Sequence, residues 1–281
     1  MENFFVLLMV ACLGWLLGVL VNYLADVLPW TRRITPPMCV TCQAEMRWKN
    51  YFLWPRSCTA CGRRRGVRVW LVEATYVLLA LGMWLYPHKY LGFWLSLILL
   101  VFFGVVAVID IEYRLILHQV SLAGAFLAVL LGVIWRAQHF FNQPGLVFSS
   151  FAPWWYGIWT SLLGGAIGFG FMGLLYIFGG VFLRLAARRR GQEVDDVALG
   201  FGDVNLAGIL GLLLGWPLVT AGLFFGVLIG GLVSLAYLLM MMALRRYHLF
   251  MALPYGPFLI AGAVFVIYFR ETLLQLLQVG F

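Results

Sequence analysis

The chain has 281 residues, of which 64% are hydrophobic, 17% aromatic and only 11% charged, with a formal net charge of +8 and a mean hydropathy of +0.97. A soluble domain averages about 45–50% apolar and about 25% charged residues, so a soluble globular fold is excluded. The composition implies an all-α polytopic membrane protein.

Apolar runs long enough to cross a bilayer, about 20 residues each, define eight expected spans. They fall at 4–24, 69–86, 91–110, 116–135, 155–184, 204–217, 218–243 and 255–277. The sixth and seventh are separated only by Trp216-Pro217. The first run has Glu2 ahead of it, no preceding basic residue and no small-residue cleavage site, so it reads as a retained helix. With the N-terminus outside, all the lysines and arginines except Lys89, Arg136 and Arg270 fall on the cytoplasmic side, as the positive-inside rule requires. The C-terminus is then also outside. The positive charge reads as this bias plus attraction to anionic lipid, and no nucleic-acid partner is expected.

The expected domain order is a first helix (1–25), a cytoplasmic loop domain (26–68) and a seven-helix membrane core (69–281). The loop carries "CVTCQAEMRWKNYFLWPRSCTACG", in which Cys39, Cys42, Cys58 and Cys61 form CxxC-x15-CxxC. Four thiolates so spaced suit one tetrahedral Zn²⁺. Disulfides and free thiols are the alternatives, the first disfavoured by a reducing cytosol. A loop this short has too little core to fold unaided, so metal would supply the folding energy. With every position a cysteine, the site would be structural. Cys12, in the first span, reads as a packing residue.

Acidic residues carry the chemistry. Glu2, Glu45, Glu193, Asp195, Asp196 and Glu271 fall in loops or tails. Asp26, Glu73, Asp110, Glu112 and Asp203 fall at helix ends that the topology puts on one side of the membrane. A charged side chain in hydrocarbon costs roughly 2.5–3.5 kcal/mol even on lenient scales, and the plain reading of each is snorkelling or helix capping, Asp203 standing where an N-cap would. "VIDIEYRLIL" and "LGFGDVNLAG" sharpen the reading of two. Asp110 ends an uninterrupted apolar run, and Asp203 follows Gly200 and Gly202, glycines that could take φ > 0 and let a bound chain approach. Two carboxylates in one low-dielectric site split their proton affinities. The ionised one can then deprotonate water while the other donates to the departing nitrogen. No GxSxG or HExxH motif competes. "GFGFMG" (168–173) matches GxGxxG but lies inside a span, outside any βαβ unit, and reads as close helix packing. Gly14 and Gly18 read likewise.

These stretches resemble the type IV prepilin peptidases, a family of membrane aspartyl proteases. "GFGDVNL" resembles the GxGDxKL motif around the second catalytic aspartate, and "VIDIEYRLIL" the stretch around the first. "GVLVNYLADVLP", with Asn22, resembles GxxLNxxxxRLP. "WLVEATYVLLAL", with Glu73, resembles a PLVE-type helix start, and "PYGPFLIAGA" a PFGPFLALG-like last helix. The order is kept over nearly the whole chain. Leu117 and His118 depart from Pro and Asp or Asn, Asn205 from Lys, and Val27 from Arg.

The resemblance implies Asp110 and Asp203 as catalytic, with Asn22, Glu73, Glu112, Gly200, Gly202 and Asn205 as substrate or site support. It implies a bacterial inner-membrane peptidase that removes the short basic leader of prepilins or pseudopilins after a glycine. The cysteine loop accompanies members that also methylate the new N-terminus with S-adenosylmethionine, which the shorter loop here leaves open. A presenilin-like protease also carries GxGD, but "LPYGP" stands where that class has PAL. A non-enzymatic zinc-bearing scaffold is the third reading.

Overall fold

The computed structural model describes residues 2–39, 41–52, 56–89, 91–141, 152–190, 200–244, 254–270, 272–273 and 275. Glu193, Asp195, Asp196, Arg245, Arg246 and Glu271 lie outside the described residues. The described residues form α1 (Glu2–Thr31), α2 (Trp48–Phe52), α3 (Val67–Leu85), α4 (Gly92–Tyr113), α5 (His118–Phe141), α6 (Ala152–Arg190), α7 (Phe201–Leu214), α8 (Leu218–Ala243) and α9 (Gly256–Tyr268). The all-α class is as expected, and no named strand occurs among the described residues.

Six helices are long and apolar enough to cross a membrane by length and composition, namely α1, α3, α4, α5, α6 and α8. The segments expected as the sixth and eighth spans form α7 and α9, of 14 and 13 residues. At a rise of 1.5 Å per residue each reaches only about 20 Å, short of the roughly 30 Å hydrocarbon core. The break expected at Trp216-Pro217 is present: Gly215 turns the chain at φ +69°, and the Trp216-Pro217 peptide is cis.

The chain divides into two compact units, 1–113 and 114–281. In the first unit, α1 runs past the expected end of its span to Thr31. Pro29 has no N–H to give to the preceding turn. The Thr31 hydroxyl takes the Val27 carbonyl at 3.0 Å, and Arg32, at φ +53°, turns the chain out of the helix. Gly14 and Gly18 let α3 lie directly on α1. A Cβ at Gly14 would stand 2.8 Å from the Tyr76 carbonyl oxygen, and one at Gly18 2.8 Å from the Glu73 Cα. Gly104 of α4 makes room for Tyr76, whose hydroxyl donates to the Leu100 carbonyl at 2.7 Å.

In the second unit, α6 and α7 pack through the glycines of "GFGFMG" and its neighbours. Cβ atoms at Gly164 and Gly168 would collide with the carbonyls of Gly211 and Ala207. The packing reading of that motif holds. Gly226 and Gly262 bring α8 and α9 together in the same way.

Candidate functional site

The loop between α1 and α3 contains the same small hairpin twice. Met38 and Glu45 bridge in one, Ser57 and Arg64 in the other. Cys39 N–H donates to Ala44 O at 2.9 Å and Gln43 N–H to Cys39 O at 2.8 Å. Nineteen residues on, Cys58 N–H donates to Arg63 O at 3.0 Å and Gly62 N–H to Cys58 O at 2.9 Å. Gln43 and Gly62 hold the matching left-handed corners, at φ +55° and +70°. Each hairpin presents two sulfurs, and all four lie within 4.8 Å of one another. The cross-hairpin pairs Cys39–Cys61 and Cys42–Cys58 stand 3.7 and 3.6 Å apart. Zn–S bonds of about 2.3 Å in a tetrahedron require sulfurs about 3.8 Å apart, whereas a disulfide requires about 2.05 Å. The set fits a structural zinc ion.

The local electrostatics agree. Cys58 is pushed down to about 6 by the N–H groups of Cys61 and Ala60. At Cys39 burial opposes the thiolate, but the N–H groups of Cys42 and Thr41 outweigh it and lower the thiol. The Ala44 N–H favours a thiolate at Cys42, yet the surrounding sulfurs, Cys61 foremost, push it up to about 12. The backbone N–H groups thus favour the thiolate form at Cys39 and Cys58, the form in which cysteine binds a metal.

Two arginines of this loop, Arg56 and Arg65, and Arg68 in the first turn of α3 reach acidic residues of the first unit's long helices. Arg56 Nη1 lies 3.0 Å from both Glu73 oxygens, and Trp15 of α1 donates to the same carboxylate at 2.9 Å. Both partners of this pair are buried. Arg65 Nη2 donates to Asp26 Oδ2 at 2.6 Å, where the Tyr51 hydroxyl also donates at 2.5 Å. Burial raises the Tyr51 phenol, with the Asp26 charge adding to it. Arg68 bridges Asp26 and Glu112. Asn22, wholly buried, gives its amide to the Val69 carbonyl at 3.1 Å. A cavity of about 280 Å³ lies beside Asp26, Tyr51, Arg65, Arg68 and Glu112.

Asp110 is 4% exposed in the last turn of α4, and Glu112 near it faces outward to Arg68. Asp26 was legible only as one of several flanking acids, although three loop and helix groups converge on it. Its signal was an aspartate at the end of an apolar run opposite a basic-rich loop.

In the second unit Asp203 is the third residue of α7 and is 9% exposed. Its Oδ2 accepts the Gly200 N–H at 3.3 Å and its own N–H returns to Gly200 O at 3.1 Å. The N-cap is therefore Gly200 and not Asp203, which caps from the third helical position, where an acid also suits the positive end of the helix. The expectation that Gly200 and Gly202 take φ > 0 is not met. Gly200 is extended at φ −74°, and among the described residues the positive-φ glycines are Gly62, Gly92 and Gly215. Gly202 is small for packing: a Cβ there would stand 2.8 Å from Ile116 Cβ, just ahead of α5. At about 100° per residue, Asn205 points away from Asp203. It lines a cavity of about 260 Å³ with His118, Ser121, Phe169 and Leu212. Tyr255, at the start of α9, feels the Asp203 charge and was not singled out by its sequence, although it stands in "PYGP".

A family model described as the type IV leader peptidase family matches residues 97–235, a segment holding Asp110 and Asp203 but none of the loop cysteines. A prepilin leader peptidase/N-methyltransferase of Bacillus subtilis (strain 168) is 25% identical over 165 residues, 54% of this chain and 57% of the relative. Another of that name, from Pectobacterium carotovorum subsp. carotovorum, is 28% identical over 236 residues, 82% of this chain and 73% of the relative. No solved structure matches. Over residues 97–235, just under half of its length, the chain is similar to the type IV leader peptidase family.

Proposed function

We propose that the chain is an aspartyl endopeptidase of a bacterial inner membrane, removing short basic leaders from prepilins or pseudopilins at the cytoplasmic face. The observation that carries this reading is a buried aspartate at a helix end in each unit, Asp110 and Asp203, both inside the family-matched segment. Of the pair, the ionised carboxylate takes a proton from water, whose oxygen attacks the scissile carbonyl. The protonated one gives its proton to the amide nitrogen as the C–N bond breaks. No metal enters that chemistry, and the four cysteines would hold zinc as a fold-stabilising ion.

The test is cleavage of a synthetic prepilin in lipid by the wild type, Asp110→Asn and Asp203→Asn. Leader removal by the wild type alone is expected, a loss of at least about 10³-fold in each variant by analogy with other paired-group enzymes. An Asn variant that cuts as well as wild type returns that aspartate to a capping role, and a wild type that never cuts favours the scaffold reading.

A second activity, N-methylation of the new N-terminus with S-adenosylmethionine as donor, is favoured by the double name of both relatives. Transfer of a labelled methyl group to the cleaved product tests it, and an unlabelled product removes it.

A further inference from the structure

Resting on the reading of Asp110 as a catalytic residue, we propose that Asp26 is the junction through which the four-cysteine module positions the Asp110-bearing end of α4, with Arg68 as the bridging residue. Asp26 is 3% exposed, and its two oxygens are engaged by groups from the loop and from the first turn of α3. Oδ2 takes Arg65 and the Tyr51 hydroxyl, and Oδ1 takes Arg68. A buried carboxylate is tolerated only when so compensated.

The link back to the cysteines runs through the backbone of the second hairpin. Arg65 N–H donates to Arg56 O at 3.1 Å, closing the hairpin whose tip is Cys58 to Cys61. Tyr51 of α2 supports it from below, with the Arg65 guanidinium 3.8 Å over its ring. Whatever holds the four sulfurs together therefore holds Arg65 on Asp26.

The link forward runs through Arg68. One Nη reaches Asp26 on α1 and the other reaches Glu112 on α4, a two-pronged geometry that arginine has and lysine lacks. Glu112 is in the last turn of α4, next to Tyr113, whose hydroxyl accepts the Trp30 indole N–H at 3.3 Å. The final carbonyls of a helix have no partner within it, so the turn that carries Asp110 frays unless side chains hold it. Arg68 and Trp30 are two side chains that reach it from elsewhere in the unit. Arg63 and Arg64, which line the same cavity, add positive charge beside Asp26 and Glu112.

The experiment is hydrogen exchange of the amides 109–113 in the full-length, zinc-loaded protein in lipid, with prepilin cleavage measured alongside. Arg68→Gln is expected to speed exchange there at least tenfold and to lower kcat about tenfold while KM stays within twofold and zinc stays bound. Arg68→Lys, which keeps the charge but cannot span both carboxylates, is expected to fall between. Asp26→Asn is expected to match Arg68→Gln in exchange and also to give up zinc faster to a chelator, because coupling between two sites is reciprocal.

Unchanged exchange at 109–113 in folded Arg68→Gln and Asp26→Asn overturns the proposal, whatever happens to cleavage. So does an Asp26→Asn protein that retains zinc like the wild type. If Arg68→Gln does not fold, Arg68→Lys with wild-type exchange and kcat overturns it. An Asp110→Asn variant that still cleaves defeats the catalytic reading instead, and leaves the exchange result standing.

Discussion

The α1–α3 pair and the α6–α7 pair are both built on glycines, yet they answer to different perturbations. Gly14 and Gly18 seat α3 on α1, but the same face also carries Trp15 and Asn22, hydrogen-bonded to Glu73 and to the Val69 backbone. Glu73 is in turn held by Arg56 of the cysteine loop. Between α6 and α7 the glycines set backbone against backbone, Gly164 on Gly211 and Gly168 on Ala207. The first unit is tied to a module whose four cysteines are placed to hold a removable ion. The second is tied to side-chain volume. Metal, charge and pH should act on the first, and added methyl groups on the second.

The largest expected effect is that of the ion. A structural zinc supplies on the order of 10 kcal/mol of folding free energy, more than a loop of this size can replace. Cys39→Ser with Cys58→Ser, or a strong chelator, should unfold residues 32–66 and leave the protection of α6–α9 unchanged. Limited proteolysis followed by mass spectrometry reads both at once. Loss of protection in α6–α9 along with the loop would erase the contrast.

Next is the buried pair. Glu73 left without Arg56 is a desolvated charge among apolar helices, and breaking one side of such a pair costs about 3–5 kcal/mol. Arg56→Gln should therefore lower the thermal unfolding temperature sharply, and Arg56→Met with Glu73→Gln should restore most of the loss. A double variant no better than the single would mean that Arg56 acts through its stacking on Trp70, 4.4 Å below it, and not through charge.

The expected architecture and the cysteine cluster were legible because both rest on local pattern. Apolar run length defined the spans, and the CxxC spacing fixes which sulfurs can meet. The shortness of α7 and α9 was not legible, because "LAGILGLLLG" and "PYGPFLIAGA" are as apolar as the longer runs and their ends are blurred by their neighbours. The pairing of Arg56 with Glu73 and of Arg65 and Arg68 with Asp26 was not legible. Nine basic residues lie in that loop region, and only the hairpin geometry chooses three of them. Asp203 showed the reverse. The sequence suggested an N-cap at Asp203 itself, whereas Gly200 holds that position and Asp203, the third helical residue, accepts the Gly200 N–H; a capping bond excludes no further role. Gly202 was rightly picked and wrongly explained, since its neighbour Ile116 lies in another element.

The glycine contrast gives a smaller effect with its own control. A methyl at Gly168 would be driven into the Ala207 carbonyl, with backbone on both sides and nothing flexible to yield, while at Gly170 there is nothing within 4 Å. Overpacking of this kind costs about 1–3 kcal/mol. Gly168→Ala should destabilise by that amount and Gly170→Ala should be neutral or slightly stabilising, since alanine is the better helix former. Equal effects of the two would show that α6 and α7 do not touch through this face.

The smallest effect is one of pH, and it is confined to the first unit. Cys58 is held down to about 6 by two backbone N–H groups, below its ordinary value in an unfolded chain. A group whose proton affinity is lowered on folding stabilises the folded form fully above its unfolded value, and loses that contribution as pH falls through the folded one. The same backbone groups favour the thiolate that a metal needs. Zinc should therefore pass to a chromogenic chelator more readily as pH is lowered through the folded Cys58 value, with α6–α9 insensitive over the same interval. Release that does not depend on pH would mean that the N–H groups of Ala60 and Cys61 do not favour the Cys58 thiolate.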